Sequence, residues 1–309
     1  MESAFIQWLR SQVPPDPRVP LGIGDDAAVL DLPPGRQWVV TTDMVMDGVD
    51  FILGEHALPL VGRKSLAVNL SDLAAMGAQP AACFVSIAVP RQGGGELARG
   101  IYEGIFQLAR QFDTALAGGD TNSWDGKLAI SVTAVGHVAA GKAWRRSGAR
   151  AGDFILVTGD FGGSILGKHL DFTPRIAEAR WLVDHADIRA AIDVSDGLSL
   201  DLARLCQESR CGAVLDLAAV PIAAAATELA AREGNQTTPL EHALGDGEDF
   251  ELILAVDPAE AQRLLNLQPL GVPLTRIGQF IEQPGLWTLA ADGTQIPLSP
   301  RGYEHRFDA

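Results

Sequence analysis

Strand-like and helix-like apolar runs alternate along this chain, and six short acidic stretches sit at the junctions between them. They read GIGDDAAVL (22–30), TTDMVMDGVD (41–50), NLSDLAAMG (69–77), AGGDT (117–121), IDVSDG (192–197) and GDGEDFE (245–251). Glycine, serine and threonine surround the carboxylates, and hardly a lysine or arginine lies beside them in sequence. Carboxylates at the mouths of core elements repel one another in low dielectric unless something neutralises them. For a donor set of oxygens alone the usual neutraliser is Mg²⁺, which commonly shares its coordination with substrate phosphates. The pattern points to phosphate chemistry on an α/β scaffold.

The chain has 309 residues, 47% of them hydrophobic, which favours two domains over one large core. No apolar run reaches the ~20 uncharged residues of a membrane span, and the first thirty residues lack the order of a signal peptide. A soluble cytoplasmic protein is expected. The formal net charge of −15 opposes unaided binding to nucleic acid or to an anionic membrane. It would also repel an anionic substrate unless bound cations reversed the local field. Cys83, Cys206 and Cys211 are too few for a disulfide framework or a four-ligand zinc site, and are expected reduced and buried.

Phe5, Ile6 and Leu9 mark a short amphipathic helix that the following SQVPPDPRVP cannot continue. Trp38-Val39-Val40 predicts a strand ending at TTD, while CFVSIAV (83–89) and LAISVTAVGHV (128–138) predict further strands. Helices are expected near 58–76 and 96–112. The first of these is apolar almost all round, yet Ser65, Asn69 and Asp72 share one face. The basic segment GKAWRRSGARAGD (141–153) reads as a junction, giving expected domains of 1–140 and 141–309. Beyond it, strands at 154–159, 190–194, 213–217 and 250–256 alternate with helices near 174–185, 198–209, 222–232 and 258–266. Trp287 and GYEHRF (302–307) add a strand and a terminal loop. The expected class is layered α/β or α+β.

Each acidic motif has a bland alternative. Asp25 and Asp26 follow Gly22-Ile23-Gly24, as two ligands or as a self-capping turn. Thr41-Thr42-Asp43 suits a hard cation, or caps a helix. Asp72 on so apolar a helix favours a ligand over a solvated face. Asp120 in AGGDT closes either a phosphate-approaching loop or a plain turn. In Asp193-Val194-Ser195-Asp196-Gly197, helix capping accounts for one acid, not both. The three acids of 245–249 form either a site or an exposed loop. Arg145, Arg146 and Arg150 contact phosphate or base, or belong to a solvated linker. No zinc-protease, nucleophile-elbow or Walker signature is present. What remains is metal-assisted positioning of an anionic nucleophile against a phosphoryl donor, without a dedicated protein nucleophile.

As an ordered set, GIGDDAAV, TTD, AVNLSDLAAMGA, GGDT, RSGARAGD, VTG, IDVSDGL, GEDFEL and GYEH resemble the thiamine-monophosphate kinases, from near residue 5 to the C-terminus. These are relatives of aminoimidazole ribonucleotide synthetase and selenophosphate synthetase. The resemblance implies ATP-dependent phosphorylation of thiamine monophosphate to thiamine diphosphate. It also implies two α/β domains, the first forming a homodimer through its β-sheet and the second flanking the cleft. By matching position it implies Asp25, Thr41, Thr42, Asp43, Asp72, Asp120, Asp193 and Asp196 as ligands of several Mg²⁺ ions. Tyr102, Gly119, Asp120, Arg146 and Ser195 would contact ATP, and Asp50, Glu248 and Tyr303 the thiamine substrate.

Three departures stand out. Asp50 replaces the histidine usual after Gly48-Val49, the segment between Gly163 and Pro174 is short, and Asp246 sits in an unusual place. The rival readings are another ATP-dependent relative, such as an aminoimidazole ribonucleotide synthetase, and a non-catalytic sensor of thiamine phosphate or nucleotide. No cysteine precedes Cys83 or follows Cys211, which argues against selenophosphate-synthetase and hydrogenase-maturation chemistry.

Overall fold

The computed structural model describes residues 2–19, 21, 23, 30–31, 33–234, 236–290 and 292–304. Asp25 and Asp26, and residues 305–307 of the tail motif, lie outside the described residues. The chain forms two compact units, one of Met1–Leu73 with Ala78–Ala143, the other of Ala74–Gly77 with Trp144–Ala309.

The first unit opens with helix α1 (Glu2–Gln12), whose Phe5 and Leu9 are buried. Its sheet is built from β1 (Arg36–Met46), β2 (Gln79–Pro90), β3 (Ala115–Trp124) and β4 (Ala129–Ala139), in the order β1-β4-β2-β3. Strands β1/β4 and β4/β2 are antiparallel, and β2/β3 are parallel. A parallel pair needs a crossover, here α3 (Gly94–Gln111), which buries Ala98, Ile101, Ile105 and Leu108 at helical spacing. Helix α2 (Leu58–Ala75) is buried nearly all round, Leu66, Leu70 and Leu73 being fully inaccessible. Its polar stripe partly satisfies itself, because Ser65 Oγ donates to the Gly62 carbonyl (2.8 Å) and Asn69 Nδ2 to the Ser65 carbonyl (3.1 Å).

Two strands differ from the sequence expectation. β1 does not stop at Thr41-Thr42-Asp43 but runs through to Met46, and Gly118-Gly119-Asp120 lie inside β3 rather than in a turn. The reason is pairing. Thr41, Thr42 and Asp43 are in register with Ala134, Thr133 and Val132 of β4, while Gly119 and Asp120 pair with Val85 and Ser86 of β2. Ladder partners override the weak strand preference of glycine and aspartate.

The second unit holds β5 (Phe154–Thr158), β6 (Ile188–Asp193), β7 (Gly212–Leu215), β8 (Leu252–Val256), β9 (Leu274–Ile281), β10 (Gly285–Leu289) and β11 (Gln295–Pro297). Their order is β11-β10-β7-β9-β5-β8-β6, and the β7/β10 pair is parallel. All five residues of β8, LILAV, are buried, as befits an inner strand covered on both faces. The helices are α4 (Lys168–Asp171), α5 (Ile176–His185), α6 (Leu198–Ser209), α7 (Ala224–Arg232), α8 (Pro239–Gly245) and α9 (Pro258–Leu267). Their core includes Ile155, Phe161, Ile192, Leu202, Leu205, Ile253 and Phe280. This is the layered α/β arrangement expected. Helix α8 and strands β9 and β11 are additions that the apolar pattern did not announce. Thr238 and Glu241 start α8 with a reciprocal capping box ahead of Pro239.

Candidate functional site

In the first unit the site begins with the pleat of β1. Odd-numbered residues face inward, so Thr41 and Asp43 point to the same side as the buried Val45. Thr41 Oγ1 donates a short hydrogen bond to Asp72 Oδ2 on α2. Burial pushes the Asp43 carboxyl up to about 7; the negative charge of Asp72 and a hydrogen bond with it push the same way, as does the charge of Asp50. Asp43 Oδ2 is buried with no hydrogen-bond partner. The pair thus has the properties of an uncompensated hard-cation donor set.

The rest of the expected ligand set in this unit is dispersed. Thr42 lies on the opposite face of β1, where its hydroxyl donates to the Val132 carbonyl (3.2 Å) and accepts from Thr133 (3.1 Å). Asp120 shares that outer face by register, through Ser86, Ser131 and Met44. Three strand spacings separate it from β1, roughly 14 Å. Within either unit, among the described residues, no three His, Cys, Asp or Glu side chains converge closely enough to hold one ion. Gly119 is explained by packing, since a Cβ there would meet the Val85 carbonyl oxygen at 2.0 Å. Tyr102 is 1% exposed, with its ring against Phe5 and Phe106, so it is a core residue as placed. Burial raises its hydroxyl well above the ordinary range, helped by Cys83 and Asp120.

Asp50 has a structural occupation. Its Oδ2 accepts from the Met46 amide (2.7 Å), its own amide donates to the Met46 carbonyl (3.0 Å), and its carbonyl accepts from the buried Lys64 Nζ (2.8 Å). The Asp50 carboxylate closes the turn after β1 by reaching back four residues to an amide, as His56 Nδ1 does in the next turn by accepting from the Ile52 amide (3.1 Å).

In the second unit Asp193 ends β6 and is buried. Beyond it the amides of Ser195, Asp196 and Gly197 all donate to Asp201 Oδ2, at 3.1, 2.9 and 3.1 Å. Asp201 is 1% exposed, and burial raises its carboxyl although the Asp196 amide and Arg204 oppose the shift. Arg204 Nη1 donates to Asp201 Oδ1 (2.7 Å) and makes a short ion pair with Asp196. Asp196 is therefore not uncompensated, as its sequence neighbours had suggested. Asp201 and Arg204 were missed because their roles depend on three amides converging, which carries no composition signal.

The two expected substrate residues of this unit are fastened to the same loop. The Glu248 amide donates to the Ser195 carbonyl (2.7 Å), and the Tyr303 amide to the Asp196 carbonyl (2.9 Å). Glu248 has φ +54°, a left-handed conformation that a non-glycine residue adopts at a cost, and such strain concentrates at functional sites. Tyr303 is 52% exposed. Arg146 is exposed, while its carbonyl accepts from Ser209 Oγ (2.7 Å).

The acids of GDGEDFE are not an exposed loop. Asp249 Oδ1 accepts from the Gly162 amide (2.9 Å), and Asp246 Oδ2 from the Gly163 amide (2.7 Å). Asp246 also bonds His242 Nδ1 (2.9 Å), which gives that unusual acid a structural role. Glu251, fully buried, is clamped by Arg175 (2.7 and 2.5 Å), Lys168 (3.1 Å) and Thr158 (2.8 Å). The glycine turn's amides are thus committed to carboxylates rather than offered to a phosphate.

Residues 24–138 match the N-terminal domain of the AIR synthase related proteins, and residues 134–287 the C-terminal domain. The thiamine-monophosphate kinase of Rhodopirellula baltica is 45% identical, over 99% of this chain and 97% of that protein. That of Escherichia coli K12 is 36% identical, over 93% and 92%. The crystal structure of the thiamine-monophosphate kinase of Stenotrophomonas maltophilia superposes with a TM-score of 0.81 at 36% identity, covering 94% of this chain and 96% of that one. AaThiL complexed with AMPPCP and TMP gives 0.77 at 25% identity, covering 99% and 96%. Sequence and fold agree along nearly the whole length: the chain belongs to the thiamine-monophosphate kinase family of the AIR synthase related proteins.

Proposed function

We propose that this chain transfers the γ-phosphoryl group of ATP to the phosphate of thiamine monophosphate, giving thiamine diphosphate and ADP. The kinship above supports the pair of substrates, AaThiL having been solved with AMPPCP and TMP. The observation that carries the chemistry is the Asp43–Asp72 pair: burial, with the negative charge of Asp72 added, raises Asp43 to about 7, and Asp43 Oδ2 is buried without a hydrogen-bond partner. Thr41, Asp43 and Asp72 would hold Mg²⁺; for other ions the family resemblance implies Thr42 and Asp120 in the first unit and, separately, Asp193 and Asp196 in the second, with Asp25 outside the described residues. When bound, Mg²⁺ supplies the positive charge that offsets repulsion between donor and acceptor phosphates. The acceptor oxygen belongs to a phosphate monoester with a second pKa of about 6, so the chain need not provide a strong base.

This chain's own residues then bind and orient. The Ser195–Gly197 loop, kept in place by Asp201, presents Ser195 to the nucleotide, with Tyr102, Gly119, Asp120 and Arg146 as the remaining family-implied ATP contacts. Glu248 and Tyr303 face the thiamine, where a carboxylate and a ring suit the cationic thiazolium. Asp50 acts there through the shape of the turn it closes. The family resemblance implies a homodimer, and the outer face of the first unit's sheet, where Trp38, Val40 and Met44 are 45, 62 and 57% exposed, supports placing its interface there. Among the described residues no helix is long and apolar enough to cross a membrane.

The test is incubation of purified protein with Mg²⁺, ATP and thiamine monophosphate, followed by analysis of ADP and thiamine diphosphate. Product that requires all three supports the reading. Binding without turnover, or turnover of a purine precursor in place of thiamine monophosphate, overturns it.

A further inference from the structure

Helix α6 ends in a way that brings two thiols together. Arg210 adopts the left-handed conformation (φ 54°, ψ 43°), its amide donates to the Gln207 carbonyl (3.1 Å), and the Cys211 amide donates to the Cys206 carbonyl (3.0 Å). These two bonds define a Schellman ending, in which the side chains at the first and sixth positions of the closed loop pack against each other. That contact is ordinarily made by two aliphatic residues. Here both positions are cysteine.

The separation that this motif imposes falls in the range a disulfide spans, so oxidation requires little backbone movement. Both cysteines are buried, yet both line a cavity of about 470 Å³ together with Ala203, Gln207, Trp287 and Pro297. A small oxidant can reach them through it. The third cysteine is different: Cys83 is fully buried in β2, and burial alone pushes its thiol up to about 12.

We propose that Cys206 and Cys211 form a dithiol modification site that a small peroxide converts to an intramolecular disulfide. The Cys206 thiol hydrogen-bonds to the Cys211 sulfur and holds the Cys211 thiol below its ordinary range, which makes Cys211 the attacking sulfur. Its thiolate attacks one peroxide oxygen and the O–O bond breaks. Cys211 becomes a sulfenic acid, and the departing hydroxide takes up the proton that Cys211 released, leaving as water. The Cys206 sulfur then attacks the Cys211 sulfur, the S–O bond breaks, and the hydroxyl leaves as a second water with the Cys206 proton. Two thiols and one peroxide thus give one disulfide and two waters, the two electrons passing from sulfur to oxygen.

The experiment uses the full chain. It is treated with hydrogen peroxide, quenched, unfolded, alkylated and mapped by mass spectrometry. Two of the three alkylatable thiols should be lost, with the Cys206 and Cys211 peptides joined and Cys83 still alkylated, and a dithiol reductant should restore both. In Cys206→Ser the cross-link should vanish and Cys211 should instead be trapped by dimedone as a sulfenic acid, thermal melting confirming that the variant is folded. Alkylation of all three thiols after peroxide, conversion of Cys211 to a sulfinic acid without cross-linking, or a disulfide involving Cys83 would each overturn the assignment. None of these readouts depends on kinase activity.

Discussion

Thr41 on β1 and Asp72 on α2 are joined by a short hydrogen bond, which fixes the strand against the helix where the Asp43 carboxylate arrives two residues further on. A hydroxyl from one element and a carboxylate from another hold that geometry before any cation binds. The like charges that result, with burial, hold the Asp43 carboxyl at about 7, and the proposed Mg²⁺ would offset them.

Asp43→Asn and Asp72→Asn are expected to lower turnover at least ~10²-fold, the scale of losing one electrostatic contribution of a few kcal/mol to the transition state. In the metal-free protein Asp43→Asn should leave stability unchanged or raised, because it relieves repulsion. Steady-state kinetics and urea denaturation with a chelator check the two halves. Wild-type turnover in both variants removes the metal assignment.

Asp201→Asn keeps an acceptor near the amides of Ser195, Asp196 and Gly197 but removes the charge and the partner of Arg204. A loss of about 1–3 kcal/mol is expected, as for a buried charge-assisted hydrogen bond, together with a raised KM for ATP from a loosened loop. Equilibrium unfolding and KM measurements decide it. An unchanged KM would show that the loop holds its shape without the acid.

Asp249 sets a pH dependence. Burial raises its carboxyl from the ordinary 3.8 to about 7, against the opposing pull of Lys168 and the Gly162 amide. Between these values the folded protein holds a proton that the unfolded chain has released. Its contribution to stability is therefore present below about pH 4 and lost as pH rises towards 7, with a limiting slope of ~1.4 kcal/mol per pH unit. Asp249→Asn keeps the acceptor for Gly162 and should flatten this slope, gaining on wild type at pH 8 relative to pH 5. Urea melts at the two pH values measure it, and parallel curves would place the proton elsewhere.

Val40→Glu and Met44→Lys place charges on the exposed face of the first unit's sheet, away from Thr41 and Asp43. If that face joins two copies, sedimentation should show a dimer in wild type and monomer in the double variant, with the far-ultraviolet circular dichroism unchanged. A dimer that persists would place the interface on another surface.

Long periodic segments were legible from the residues alone. Helices α2 and α3 lie close to their expected bounds because apolar spacing is a local property, and β2, β4 and β8 are dense in apolar residues. β9 was not legible, since LTRIGQFI mixes polar and apolar residues and its identity comes from pairing with β5 and β7. The same holds for the passage of β3 through two glycines.

The amino-acid order by itself determined the family and the layered α/β class and singled out the acids, although it placed at element junctions Asp43 and Asp120, which lie inside β1 and β3. Which acids act together was decided by tertiary structure. Thr41, Asp43 and Asp72 meet because a pleat of period two and one helix face coincide, while Thr42, a single residue away, is turned to the other side. Asp196, bare in sequence, is paired with Arg204, and Asp246 and Asp249 are bound to glycine amides. Charge compensation acts through space over a few ångströms, and sequence neighbours are a poor guide to what lies within that distance.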